Sequence, residues 1–336
     1  MKINMKDFVR KAIDSPVKNA APVLSFPIIQ QMGITVNDLV NSDVYQAEAI
    51  IRVAKRIPSA FALSFMDLSV EAECFGAEIL FRDDEIPTVT KPVISSSHEI
   101  ENLAIPEVGT SRSGLCVNAV AEAAKNIKDR PVMAGVIGPY SLAGRLSDVT
   151  EIMFLCFEEP ERAANLLEKA TEFIIKYCLA FKEAGANGVV MAEPLAGMLS
   201  PALAEEFSAP YVKRIIDAVQ DDNFAVCYHN CGNNTVLMAE SIASVGAAMY
   251  HFGDAINMAA ILPLMPSDAL VMGNISASGQ FLHGSPESIY AETTALLKEC
   301  SKYPNFIPSS GCDLPPATKW ENIDSFFKAV EDFYAK

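Results

Sequence analysis

The sequence predicts a (β/α)8 barrel with a short N-terminal helical extension. Two observations carry this: short apolar runs recur along the whole chain, and helical patterns separate them. The runs are Pro22–Phe26, Ala60–Phe65, Pro131–Ile137, Gly188–Ala192, Phe224–Tyr228, Ala247–His251, Ala269–Asn274 and Asn305–Ser309. They are continuous rather than alternating, which suits strands buried on both faces, as in a parallel sheet covered by helices. The helical patterns are Asp43–Arg56, Cys116–Lys128, Pro160–Ala184, Pro201–Val219, Thr235–Ser244, Ser285–Ser301 and Asn322–Tyr334. Pro160, Pro201 and Ser285 supply helix-entry chemistry, and Pro210 predicts a break or kink in the fourth helix. The opening MKINMKDFVRKAIDS reads as an amphipathic helix and lacks the apolar core of a secretory signal. Residues 82–113 form the longest irregular stretch, expected as a hairpin or lid over one end. No linker rich in Pro, Gly or Ser divides the chain, so residues 1–336 are expected to form one domain rather than a doubly wound pair.

Composition narrows the function classes. A net charge of −16 argues against nucleic acid, whose phosphates demand a basic surface. No apolar run reaches the roughly 18–20 residues that span a bilayer, so no membrane partner and a cytoplasmic location are expected. Eight cysteines without a signal peptide do not read as a disulfide framework. Cys74, Cys116, Cys156, Cys178, Cys227 and Cys300 sit among apolar neighbours and read as reduced core residues.

Barrel enzymes work at the C-terminal ends of their strands. The residues just past the apolar runs are Asp67, Gly138-Pro139-Tyr140, Glu193-Pro194, His229 to Cys231, Asp254, Asn274 and Cys312-Asp313. Carboxylates, a histidine and two cysteines therefore fall where chemistry is expected. In an extended chain residues i and i+2 point to one side, so His229 and Cys231 can face one ion. Cys312 follows the last run and can approach across the mouth of a barrel. Two thiolates and an imidazole suit zinc, and three protein ligands leave a position for substrate. The chemistry that fits is activation of a small thiol, because coordination deprotonates it. The alternative at this point is a hydrogen-bonded histidine and two buried thiols. Asp254 is a candidate fourth ligand or outer partner, or else a helix cap. His251 is expected as a packed or hydrogen-bonded core residue, and His98 and His283 as solvated.

Several stretches in this order are familiar: Phe65-Met66-Asp67-Leu68-Ser69-Val70-Glu71-Ala72-Glu73, Gly138-Pro139-Tyr140-Ser141-Leu142-Ala143-Gly144, Glu193-Pro194 with Leu199-Ser200-Pro201, His229-Asn230-Cys231-Gly232-Asn233, Gly273-Asn274-Ile275, Gly284-Ser285-Pro286-Glu287 and Gly311-Cys312-Asp313-Leu314-Pro315-Pro316. By them the chain resembles, over its whole length, the uroporphyrinogen decarboxylase superfamily and within it the methylcobamide:coenzyme M methyltransferase branch. The resemblance implies a (β/α)8 barrel and a zinc held by His229, Cys231 and Cys312. It implies that the zinc-bound thiol of coenzyme M takes the methyl group of a methylated corrinoid such as methylcobalamin, delivered by a separate corrinoid protein. Gly138, Tyr140 and Asn274 are then expected at the cofactor site, and Asp67 and Glu193 as catalytic carboxylates. Asp67 matches the essential aspartate of the decarboxylases, so a lyase using it is the alternative; methyl transfer to another thiol such as homocysteine is a second. Pro22 to Gly33 holds no arginine where the decarboxylases carry an arginine-rich motif for their polycarboxylate substrate, which disfavours decarboxylation. Glu193-Pro194 stands where related methyltransferases often carry Asp-Pro. Arg145 is a candidate for an anionic tail such as a sulfonate, or a surface ion pair.

Overall fold

The computed structural model describes residues 3–335. Seven strands form one parallel sheet: β1 (Ala62–Leu63), β4 (Val132–Ile137), β5 (Gly188–Ala192), β6 (Ala225–Asn230), β7 (Met249–Phe252), β8 (Leu270–Ile275) and β9 (Phe306–Ser310), neighbours in that order. Each parallel step is made by a helical crossover, so the sheet is buried on both faces and its strands read as continuous apolar runs. The long helix Pro160–Glu183 crosses from β4 to β5, and Pro286–Cys300 from β8 to β9. Ser285 caps the latter, accepting from the Ser288 N–H, and Pro286 opens it. The helix expected over Pro201–Val219 is two, Pro201–Phe207 and Ala209–Val219. The break at Ser208 precedes Pro210, which has no N–H to give and whose ring crowds the preceding turn.

The expected first strand, Pro22–Phe26, is not one. Pro22 cannot donate to a ladder, and Phe26–Ile28 turns at once into a 3-10 helix entered by Pro27. The segment instead lies extended between the two edge strands. Ala60 N–H donates to the Ala20 carbonyl (2.9 Å) and Ala21 N–H to the Pro308 carbonyl (3.0 Å). Val23 N–H donates to Ser310 Oγ at 2.9 Å, and Leu314 N–H to the Val23 carbonyl at 3.0 Å. The architecture is thus a curled seven-stranded parallel sheet of the α/β class, spanned at its open edges by a strap. The second expected strand shrinks to Ala62–Leu63, and the irregular stretch holds a hairpin, β2 (Glu78–Leu80) with β3 (Thr88–Lys91), that starts earlier than expected.

Strand parity sorts the interior into two clusters. Met133, Val190, Cys227, Met249, Met272 and Ile307 face inward with Leu63 and Val23, while Val136, Met191, Tyr228, Tyr250 and Phe306 face the helices. The N-terminal helix Met5–Asp14 belongs to the inner cluster through Met5 and Val9, both buried. Its first turn is fixed by Met5 N–H donating to the Asp222 carbonyl at 2.7 Å, just before β6. The helix therefore plugs the end of the sheet where strands begin. Chemistry is left to the end where they finish. No helix among the described residues is long and apolar enough to cross a membrane.

The strap depends on one side-chain acceptor. Ser310→Ala leaves the buried Val23 N–H without its partner and is expected to cost about 1–3 kcal/mol. A urea titration reads this as a lower midpoint with an unchanged slope; an unchanged midpoint would show that the strap is held without this bond.

Candidate functional site

β6 runs two residues further than its apolar run suggests, so His229 lies within the strand and Cys231 just beyond it. The register pairs His229 with Ala192 on β5 and with His251 on β7. Cys227 faces inward, so the parity of the strand also turns His229 inward; Met249 and Ile307 do the same for His251 and Ser309. The three residues form a polar layer directly above the apolar inner cluster, all nearly or fully buried. Cys231 is half-buried and Cys312 exposed.

Two thiols and one imidazole lie close together there: Cys312 stands beside both Cys231 and His229. Contact with Cys312 holds the Cys231 thiol below its ordinary value, against burial and the Asp254 charge. The same contact pushes Cys312 up to about 12, with His229 opposing. These contacts are pairwise. Among the described residues no three His, Cys, Asp or Glu side chains are already drawn up around one point.

Close backbone approach makes the convergence possible. A Cβ on Gly253 would collide with Cys231 Cβ, and a Cβ on Gly311 would lie 2.6 Å from the Asp254 nitrogen. Glycine is thus required where the turns after β6, β7 and β9 press together. Asn274 Nδ2 donates to the carbonyls of Gly253 (2.8 Å) and Ile256 (2.5 Å), tethering the middle turn. Asp254 is exposed and makes no hydrogen bond or ion pair among the described residues, and its charge reaches Cys231.

The other expected residues gather around two further networks. Asp67 is buried after β1, where Oδ1 accepts from Ser69 N–H (3.0 Å) and Ser69 Oγ–H (2.6 Å) and Oδ2 from Arg112 Nη1. Arg112, itself buried, also reaches Glu73 through Nε at 2.7 Å. Glu71 Oε1 accepts from Ile137 N–H at 2.9 Å, and burial pushes this carboxyl up to about 7. Glu193 is wholly buried and closes the helix Pro139–Ser147: Oε1 accepts from the N–H groups of Tyr140 (2.9 Å) and Ser141 (3.3 Å). Burial nonetheless raises it to about 8, with those two N–H groups acting against the rise. A Cβ on Gly138 would collide with Glu193 Oε1, so Gly138 makes room for the carboxylate. The Tyr140 ring is fully buried, with its hydroxyl against Cys156. Arg145 is half-buried, with Asp67 and Glu71 as its nearest charges and no hydrogen bond or ion pair among the described residues.

Sequence reasoning missed Arg112 and Glu71. Arg112 closes an irregular stretch without periodicity, and nothing local marks it as the partner of Asp67. Glu71 was visible inside a motif but not as a buried acid. His251 was expected in the core; that its partner would be His229 follows from strand register alone.

Two expectations follow for stability. Arg112→Leu leaves Asp67 charged, buried and without its guanidinium, at a cost of about 3–5 kcal/mol by chemical denaturation. Glu193 and Glu71 hold protons in the folded chain that the unfolded chain releases near pH 4.5. Their folded pKa values are raised, so the fold loses stability as pH climbs from about 4.5 to about 8. Glu193→Gln keeps an acceptor for both N–H groups and should flatten that decline in a Tm-against-pH series; an equally steep decline would place the titration elsewhere.

The uroporphyrinogen decarboxylase (URO-D) family model matches residues 20–333. Uroporphyrinogen decarboxylase of Pseudoalteromonas translucida is 27% identical over 299 residues, covering 86% of this chain and 83% of that protein. The methylcobamide:CoM methyltransferase MtbA of Methanosarcina acetivorans is 24% identical over 271 residues, 80% and 78% of the two chains. Among solved structures, a methyltransferase from Methanosarcina mazei superposes with a TM-score of 0.87 at 22% identity, covering 99% of each chain. A B12-independent methionine synthase from Shewanella sp. W3-18-1 follows the same fold with a TM-score of 0.61 at 13% identity, covering 95% and 96%. The resemblance to the methyltransferase branch thus recurs in sequence and in fold, and the chain belongs to the uroporphyrinogen decarboxylase family.

Proposed function

We propose that this chain is a zinc-dependent methyltransferase that moves a methyl group from a methylated corrinoid, carried by a separate corrinoid protein, to a small thiol such as coenzyme M. The observation that supports the reading is that Cys312 lies beside both Cys231 and His229 at the open end of the sheet. The donor set fits zinc: a ring nitrogen and a sulfur from the end of β6 and a second sulfur from the turn after β9, with glycines where the neighbouring turns press together. Bound there, zinc would keep a substrate thiol as thiolate at neutral pH. Such a thiolate would be the nucleophile for the methyl carbon, and the corrinoid would keep the electron pair of the broken carbon–cobalt bond.

The chain's own residues supply position and charge. Cys231 is the thiol already held below its ordinary value, so it gives up its proton first on ligation. Arg145 makes no hydrogen bond or ion pair among the described residues and would offer its guanidinium to the anionic tail of the thiol. Asp254 is the side chain available for a fourth position. Glu193, Gly138 and Asn274 act by holding the helix after β4 and the turn after β7 in place.

The alternative is a metal-independent lyase using Asp67, and the decarboxylase relatives keep it in view. Against it, Asp67 is engaged by Arg112 and Ser69, and residues 22–33 contain no arginine for a substrate with many carboxylates.

Metal analysis of the purified protein separates the readings. About one zinc per chain is expected, lost in Cys231→Ser and in Cys312→Ala. Methylcobalamin should be demethylated with coenzyme M faster than with homocysteine. Zinc-free protein that decarboxylates uroporphyrinogen would overturn the proposal. Arg145→Ala should raise KM for a sulfonated thiol about 10–100-fold, as expected for a charge-assisted contact, and leave 2-mercaptoethanol unaffected.

A further inference from the structure

We propose that His251 and Ser309 form a relay that fixes the tautomer of His229 and leaves Nε2 as its one free lone pair. The zinc reading above supplies the identity of the metal; the polarity of the relay stands on hydrogen bonds alone.

The derivation starts at a group whose polarity is certain. The Ala21 carbonyl can only accept, and Ser309 Oγ lies 2.8 Å from it, so the single hydroxyl proton of Ser309 is spent there. His251 Nε2 lies 2.8 Å from the same Oγ, which has only lone pairs left. His251 therefore carries its proton on Nε2. A neutral imidazole has one N–H, so its Nδ1 presents a lone pair. His229 Nδ1 lies 2.6 Å from that atom and must donate to it. A second, independent group agrees: the His251 backbone carbonyl, again only an acceptor, lies 3.3 Å from His229 Nδ1. Both neighbours demand Nδ1–H on His229. Nε2 remains unprotonated, and Cys312 lies beside this imidazole.

A histidine ligates through an unprotonated ring nitrogen, and the hydrogen bond on the other nitrogen decides which one that is. In many metal sites a carboxylate or carbonyl does this directly. Here a second imidazole does it, anchored through Ser309 to the strap at Ala21 that spans the sheet edges. The layer above the inner cluster is thus a row of donors and acceptors all pointing one way. His251 is a positioning residue, since it meets the site only through His229.

Metal-free protein labelled with 15N-histidine tests the polarity directly. Long-range proton–nitrogen correlation spectra, assigned with single histidine variants, should show Nδ1–H on His229 and Nε2–H on His251. Nε2–H on His229, or averaging between the two forms, would overturn the proposal. Zinc affinity by chelator competition gives the second readout. His251→Phe should weaken it about 10–100-fold, the cost found for outer partners of metal ligands. His251→Gln, whose amide can accept from His229 and donate to Ser309, should restore most of it. Ser309→Ala gives a milder variant should the phenylalanine protein not fold, and is expected to let both tautomers of His251 appear in the spectra. Equal zinc affinity in all three variants, or a single unchanged His251 tautomer in Ser309→Ala, would overturn the relay. A wild-type protein that binds no zinc would overturn the zinc reading, and the spectra would still decide the relay.

Discussion

The alternation of side chains along parallel strands is the constraint on which the rest of this structure depends. Because every second residue of β6, β7 and β9 faces inward, the same rule that packs Cys227, Met249 and Ile307 into the inner cluster stacks His229, His251 and Ser309 above it. A shift of one residue in any of these strands would send its polar group into the helix layer. The inner cluster below, plugged by Met5 and Val9, closes one end and keeps the polar layer facing the other. Position of the site and solidity of the core are thus one fact seen from two sides.

Charge is handled at this face by burial with partners. Asp67, Arg112, Ser69 and Glu73 satisfy one another, and the carboxyl of Glu193 takes two backbone N–H groups that a helix start would otherwise leave open. Such groups contribute little net stability, since their desolvation offsets most of the attraction. What they supply is geometry: Glu193 orients the helix after β4, Arg112 binds the turn after β1 to the chain beyond the hairpin, and Asn274 holds the turn after β7 beside Cys231. Arg145 and Asp254 differ from these. They stand at the same face and make no hydrogen bond among the described residues.

The family contains both decarboxylases and methyltransferases, so fold alone does not separate the two chemistries. Two local features support the proposed methyl transfer: the pair of thiols beside an imidazole, and the lack of arginine in residues 22–33, where a substrate with many carboxylates would need cations. That same segment became the strap across the sheet edges, with Ser309 and Ser310 as its anchors.

Helices, strands and their alternation were legible because burial on both faces writes itself into composition: continuous apolar runs, separated by amphipathic stretches with Ser and Pro at their entries. His229, Cys231 and Cys312 were legible for a similar reason, being reactive residue types at strand ends beside glycine. The strap was misread as a strand because apolarity at Val23 and Leu24 outweighed the missing N–H of Pro22. The partner of Asp67, the burial of Glu71 and Glu193, and the pairing of His229 with His251 could not be read locally. Each joins residues far apart in the chain, and a sequence records which groups are present but not which are brought within 3 Å of one another. The chain by itself determined the layers and the reactive residue types at the strand ends. Strand register and turn packing decided which of them meet, because hydrogen-bond polarity and proton sharing exist only between groups already in contact.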